Sequence, residues 1–221
     1  MNTEKFENIT AHEVRIIAGV TPTIGSKLTF GKYDWLVLDV QDGKALLISK
    51  DVTHIKKPYN KKYTDVTWES CTLRQWLNSD FLSEFSPQEQ SQICLSTIAN
   101  QDNPWYGTEG GNTTADRVFL LSLSEVCRYF GDSMNKLNNP TKYDKYRWWF
   151  SDSNNDKRLS KYGENNAWWW LRSPGDDSRY AACIEYDGDV VVYGNNVRIS
   201  DRRGGVRPAL WLNPRNPVDT V

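Results

Sequence analysis

Residues 167–212 read AWWWLRSPGDDSRYAACIEYDGDVVVYGNNVRISDRRGGVRPALWL, and this stretch decides the fold. Trp168, Trp169 and Trp170 lead into Leu-Arg-Ser-Pro-Gly at one end, and VRPALWL over 206–212 closes the other. Tryptophan-rich ends of this kind are large apolar payloads that a domain buries. Between them, short β-prone runs are separated by Asp187-Gly188, by Gly194-Asn195-Asn196 and by the run Asp201–Gly205. Asp-Gly between two such runs signals a hairpin, because both turn positions need positive φ. The pattern predicts strands near 180–186, 189–193, 197–200 and 206–212. The outward residues of these hairpins are Asp, Ser, Arg, Tyr and Asn, a composition closer to a paratope than to an active site.

Working outward, Lys27–Phe30, Tyr33–Val40 and Lys44–Ser49 form a β-meander broken at Gly31 and at Asp42-Gly43. It predicts Trp35 and Val37 on one face and Leu36, Leu38 and Val40 on the other. Residues 51–67 are a lysine-rich connection of the sort that is usually solvated. Leu73, Trp76 and Leu77 have the spacing of a short helical stripe. Ser86-Pro87-Gln88-Glu89 and Ser122-Leu123-Ser124-Glu125 are capping boxes, the first opening a helix to about Cys94, the second one that stops at Gly131. Val118–Leu121 is expected to be a short buried strand. Residues 100–117 read as a Gly/Asn/Thr-rich loop, and 132–166 as a long polar connector with Tyr143, Tyr146 and Trp148–Phe150 in it. A connector this long is usually functional, and its aromatics favour function or packing over the final sheet. Residues 11–18 fit a helix or an edge strand, and the tail after Leu212 looks frayed. The class is α+β, one domain over 1–221, with the face on the hairpins of 168–212.

Composition excludes more than it selects. The 221 residues carry a formal net charge of −1, against the basic face that phosphate contacts need, so no nucleic-acid partner is expected. No apolar run is long enough to span a membrane, so no insertion is expected. The start MNTEKFENIT has no signal-peptide pattern, which predicts cytoplasmic synthesis and, for any surface or particle location, another route. Cys71, Cys94, Cys127 and Cys183 show no CxxC spacing and are expected to be reduced. With His12 and His54 the only histidines, no metal, cofactor or His-based catalysis is expected, and the nucleotide-binding and hydrolase motifs are missing. Asp176, Asp177, Asp187 and Asp189 sit beside glycines and read as turn formers. Arg172 and Arg207 are expected to be structural.

The blocks GKYDWLVLDV, TWESCTLRQWLN, FLLSLSEV, WWLRSPG and GVRPALWL, in that order over about 30–212, resemble a bacterial and phage domain family of unassigned biochemistry. That family is similar to C-type-lectin-fold proteins, some of which are variable proteins of diversity-generating retroelements. The resemblance implies a C-type-lectin-like domain whose 3′ coding region a reverse transcriptase rewrites at adenines. Asparagine codons treated so never become Lys, Gln, Glu, Met or Trp. Residues 176–203 contain none of these except Glu185, which must then be fixed or come from another codon; all 14 lysines lie at or before Lys161. By position, the diversified, ligand-contacting residues are Asp176, Asp177, Arg179, Tyr180, Ile184, Tyr186, Val190, Val192, Tyr193, Arg198, Ile199, Ser200, Asp201, Arg202 and Arg203. Ala181, Ala182, Gly188, Gly194 and Val197 would be frame. The calcium-dependent lectin motifs are missing, and Cys183 lacks the partner that formylglycine-generating enzymes need. The implied function is a non-enzymatic binding module for a protein ligand. The alternative is a carbohydrate-binding or carbohydrate-processing site among Trp105, Tyr106, Trp148 and Trp149.

Overall fold

The computed structural model describes residues 22–214; the 11–18 segment, His12 and the tail beyond Pro214 lie outside the described residues. The described residues begin with strands β1 (Lys27–Phe30), β2 (Tyr33–Gln41), β3 (Lys44–Ser49) and the short β4 (His54–Ile55). Helices α1 (Thr72–Trp76) and α2 (Pro87–Gln92) follow, then strands β5 (Ser96–Ile98) and β6 (Thr114–Asp116) and helix α3 (Leu123–Phe130). The former connector contributes α4 (Lys142–Arg147), β7 (Trp149–Phe150), α5 (Asn155–Arg158), β8 (Lys161–Tyr162) and β9 (Asn165–Asn166). The chain closes with β10 (Trp168–Pro174), β11 (Tyr180–Ile184), β12 (Val190–Asn196), β13 (Gly204–Val206) and β14 (Ala209–Leu212). The class is α+β.

Two sheets share the work. One has the order β1-β2-β3-β14 and the other β4-β13-β10-β11-β12-β7. The expected strand over 206–212 is therefore two strands, one in each sheet. The break falls at Arg207-Pro208, where proline cannot donate to a ladder and its carbonyl accepts from Ser49 N instead. Arg207 is buried beneath this crossover. Its guanidinium donates to the carbonyls of Ser49 (2.9 Å) and Lys50 (3.1 Å) and lies 4.9 Å from the Trp169 ring. Burial pushes its pKa down to about 10. Arg172 is its counterpart at the other end of β10, bonded to the carbonyls of Leu120 and Ala99 and ion-paired with Glu125. Both arginines are structural, as expected.

The local signals hold. Asp42 and Gly43 take φ of 51° and 77° in a two-residue turn between paired Gln41 and Lys44, the conformation a type I′ hairpin requires. Both expected capping boxes form, at Ser86/Glu89 and Ser122/Glu125. In β2 a bulge between Val37 and Asp39 makes Leu38 the extra residue. Leu38 thereby turns into the core beside Val37 instead of facing the other way.

All seven residues of β10 are buried, as befits a strand flanked on both edges and covered on both faces. Trp169 and Trp170 are fully enclosed, and one contiguous core runs from Leu28 to Leu212. Gly188 (φ 86°) lies in the expected turn, but Asp187 lacks the positive φ of a two-residue hairpin, and residues 185–189 join the paired Ile184 and Val190. Gly194 (φ 84°) sits inside β12 as a bulge, not a turn. The register against β11 jumps there from Cys183↔Val191 to Ala181↔Asn195. A Cβ on Gly194 would come within 2.5 Å of the Ala181 carbonyl, so only glycine lets the two backbones approach. The strand expected at 197–200 is a loop. Val197 is buried, and Asn196 Oδ1 accepts from Arg198 N at 2.9 Å in an Asx turn that competes with strand pairing.

Candidate functional site

The site grows from the turn that joins β10 to β11. Gly175 N donates to Tyr180 O (2.8 Å) and Asp176 N to Tyr193 O (2.9 Å), so residues 175–180 lie across β12. Gly175 has no room for a side chain, since a Cβ would stand 2.2 Å from Tyr193 O. Asp177 Oδ1 accepts from Arg179 N at 2.7 Å, and Asp187 Oδ1 accepts from Asp189 N at 3.2 Å. These aspartates form turns, as their sequence context predicted.

One residue that sequence reasoning passed over locks this turn. Asn103 is buried, and its amide donates to the carbonyls of Pro174 (2.8 Å), Gly175 (3.1 Å) and Val192 (2.9 Å). Its Oδ1 accepts from the backbone N–H groups of Trp105 and Tyr106. A single amide thus ties the 103–106 loop to the end of β10 and the interior of β12, using its full donor and acceptor capacity. Thr108 adds a bond to Asp176 O at 2.7 Å. The signal was an Asn before Pro within a Gly-rich loop, which reads locally as no more than a turn.

Tyr193 is the hub of the exposed surface. Its ring lies 5.3 Å from Tyr180, 5.4 Å from Trp148 and 6.1 Å from Tyr106. Trp148 reaches it because α4 ends there. Thr141 and Asp144 form a capping box that opens the helix, and Trp148 closes it in the left-handed region at φ 68°. That conformation is uncommon for a bulky side chain; it leaves the indole 54% exposed while its carbonyl accepts from Tyr193 N at 3.1 Å. The polar 61–67 segment, expected to be a solvated connection, also contributes. Val66 N donates to Ser178 O and Ser178 Oγ to Asp65, which brings Tyr63 beside Tyr180 and places its ring 5.5 Å from the Arg179 guanidinium.

At the base of these rings stands Asp176. Burial raises its pKa above the ordinary aspartate value, Asp177 adds to the rise, and the Tyr193 hydroxyl opposes it. Its Oδ1 is buried without a hydrogen-bond partner, and so is the Tyr106 hydroxyl. Asp177, by contrast, pairs with Arg179 at 2.7 Å.

The expected face therefore divides. Asp176, Asp177, Arg179, Tyr180 and Tyr193 gather in this patch. Tyr186, Arg198, Ser200, Arg202 and Arg203 are exposed elsewhere on the hairpins, with Ile199 and Asp201 partly covered. Asp201 accepts from Trp168 Nε1 at 3.0 Å and pairs with Arg203. Ile184, Val190 and Val192 are wrong assignments: all three are fully buried, Val190 and Val192 as the inward alternates of β12, and Ile184 in a run, Ala181–Ile184, that β11 buries on both faces. Glu185 sits half-covered, its backbone N bonded to Asp189 O and its carboxylate facing Asn195, which is a frame position.

The alternative cluster is split as well. Trp105 is buried against Phe150, with Nε1 donating to Leu137 O, and Trp149 lies in β7. Only Tyr106 and Trp148 reach the patch, where they join the other set. Burial pushes the thiols of Cys71 and Cys127 up to about 12, far from the thiolate a nucleophile needs. Among the described residues, no group of three or more His, Cys, Asp or Glu side chains is placed to hold a metal ion, and no helix is long and apolar enough to cross a membrane.

The arrangement defines an α+β domain that presents an aromatic patch on a rigid sheet. Residues 42–214 match the family described as a domain of unknown function, DUF6273, and the chain belongs to it. No curated protein and no solved structure matches the chain.

Proposed function

We propose that this domain is a binding module of C-type-lectin-like kind that captures a protein ligand on the patch around Tyr193, and that a retroelement diversifies that patch. One observation carries the reading. Tyr63, Tyr106, Trp148, Tyr180 and Tyr193 come from five separate segments and converge at the surface, while Ile184, Val190 and Val192 between the last two are buried. Tyrosine and tryptophan supply large contact area at small entropic cost, and they dominate binding hot spots. The frame is fixed by backbone ladders and by Asn103, so the patch is organised before any ligand arrives.

The test lies in the DNA. The reading expects a reverse-transcriptase gene nearby and a near-copy of codons 168–212. It also expects variants of this gene to change at Asp176, Tyr180, Tyr186, Tyr193 and Arg198 while keeping Ile184, Val190 and Val192. Variation spread evenly over buried and exposed positions would overturn diversification. Saturable binding of oligosaccharides, lost on Trp148→Ala, would replace the protein ligand with a carbohydrate.

A further inference from the structure

We propose that the group captured at the centre of the patch is a cationic side chain, an arginine or lysine of the ligand, seated on the rings of Trp148 and Tyr193 above Asp176. The proposal rests on the protein-binding reading above and adds the chemistry of the contact. Three observations support it. The first is charge. Among the described residues no Lys or Arg pairs with Asp176, and one of its oxygens is buried without a partner, whereas the adjacent Asp177 is matched by Arg179. A neutral ligand covering the patch would further desolvate an uncompensated carboxylate, and an anionic one would be repelled. A cation offsets the charge that its own docking shields from water.

The second observation is the ring geometry. Tyr180 and Tyr106 stand nearly edge-on to Tyr193, at 70° and 88°, whereas Trp148 is tilted by only 37°. Edge-on neighbours around one hub leave ring faces of different orientation at one surface, and a cation is drawn to ring faces within about 6 Å of their centroids. The third is a local example. Arg179 of this same surface is held by a carboxylate, Asp177, and a ring, Tyr63 at 5.5 Å. Asp176, which is hydrogen-bonded by Tyr193 but paired with no cation among the described residues, and the rings beside it offer an incoming side chain the same pair of partners.

The experiment uses the full chain labelled with ¹⁵N, its Trp148 indole resonance assigned through Trp148→Phe. It is titrated with Nα-acetyl-arginine methylamide and with the citrulline analogue, an uncharged near-isostere. A saturable shift of Trp148 is expected with arginine, at least about fivefold weaker with citrulline, a ratio typical of an exposed cation–ring contact. Asp176→Asn should reduce arginine binding to the citrulline level, while Asp187→Asn, in the far turn, should leave it unchanged. Equal affinity for the two amides, no saturable shift, or retention of the preference in folded Asp176→Asn would overturn the proposal. So would a methyl glycoside that shifts Trp148 at lower concentration than arginine does. If adjacent DNA carries the retroelement but arginine and citrulline bind alike, the cation site falls and the variable face stands. An arginine preference without the retroelement supports the cation site alone.

Discussion

The strand β10 and the turn that follows it are neighbours in sequence and opposites in construction. Residues 168–174 are buried throughout, with every indole nitrogen of the three tryptophans bonded, to Asp201, to the Arg158 carbonyl and to the Lys57 carbonyl. Residues 176–180 are partly or fully exposed and carry an unpartnered carboxylate oxygen at their base. The first region satisfies its polar side chains internally apart from Arg172 Nε, and the second leaves a carboxylate oxygen without a partner beside aromatic rings. On the proposed reading, in which the surface is rewritten while the shape is kept, this separation would let changes in the second region barely reach the first.

The strongest way to break the comparison is to cut into the frame. Trp170→Ala should destabilise the protein by about 3–5 kcal/mol, the range for deleting a buried aromatic. It removes a ring packed 4.8 Å from Trp168 and 5.9 Å from Tyr59 and orphans the Lys57 carbonyl. Trp211→Ala should cost clearly less, because Trp211 is only partly covered. Chemical denaturation of the two variants side by side measures the difference; equal losses would mean that burial does not separate frame from surface.

Next comes the joint between the regions. Asn103→Ala leaves three buried carbonyls and two backbone N–H groups without their partner. Leaving a buried polar group unsatisfied costs about 1–3 kcal/mol, and water entering the gap would recover part of it. Melting should fall, and amide exchange should speed at Asp176, whose N–H donates to Tyr193 O, and at Tyr193, whose N–H donates to Trp148 O, both bonds lying beside the same joint. A lower melting temperature with unchanged exchange at those two amides would show that Asn103 supports the fold without organising the patch.

Within the surface, the rings are not equal. Tyr193→Ala loses its contacts with Trp148, Tyr180 and Tyr106, each aromatic pair worth about 0.5–1.5 kcal/mol beyond area. Tyr186, Arg198 and Arg202 are exposed, and their alanine variants should each stay within about 0.5 kcal/mol of the parent. Thermal melts of the four variants test the ranking. A Tyr186 loss as large as that of Tyr193 would place Tyr186 in the frame.

What could be read from the sequence was what short-range chemistry decides. The two serine capping boxes, the Asp42-Gly43 turn and the structural arginines each depend on a few adjacent residues or on one residue type in an apolar setting. A third box, Thr141 to Asp144, was equally visible and passed unread inside a polar connector. Two kinds of feature were not legible. In the run Val190-Val191-Val192 every residue suits either face, so the phase of the alternation is set only by pairing with β11, and Val190 and Val192 could not be told from surface residues. In the sequence Tyr106 and Trp148 are candidates only for the alternative site and Tyr63 for none; all three are scattered along the chain, and the Asn103 joint, the Ser178 contacts and the left-handed cap of α4 gather them around Tyr193.

The smallest effect has the opposite sign. Asp176 has a folded-state pKa above its ordinary value because of burial, so between the unfolded and folded pKa values the native state binds more protons than the unfolded chain. Stability attributable to this group therefore falls as pH rises through that window and stays lower above it. Asp176→Asn removes the penalty and keeps the shape, so at pH 7 the variant should melt slightly higher than the parent. The gap should narrow toward pH 4 and vanish only below the unfolded-state value, where the carboxyl is neutral in both states. Melting curves of the pair across pH 4–7 measure it. A variant less stable at pH 7 would mean that the carboxylate is well solvated or paired in solution, and the patch would lose the feature that sets it apart from β10. A variant that gains stability while losing arginine binding would show the reverse: a charge kept at a cost to the fold because the ligand, not the frame, satisfies it.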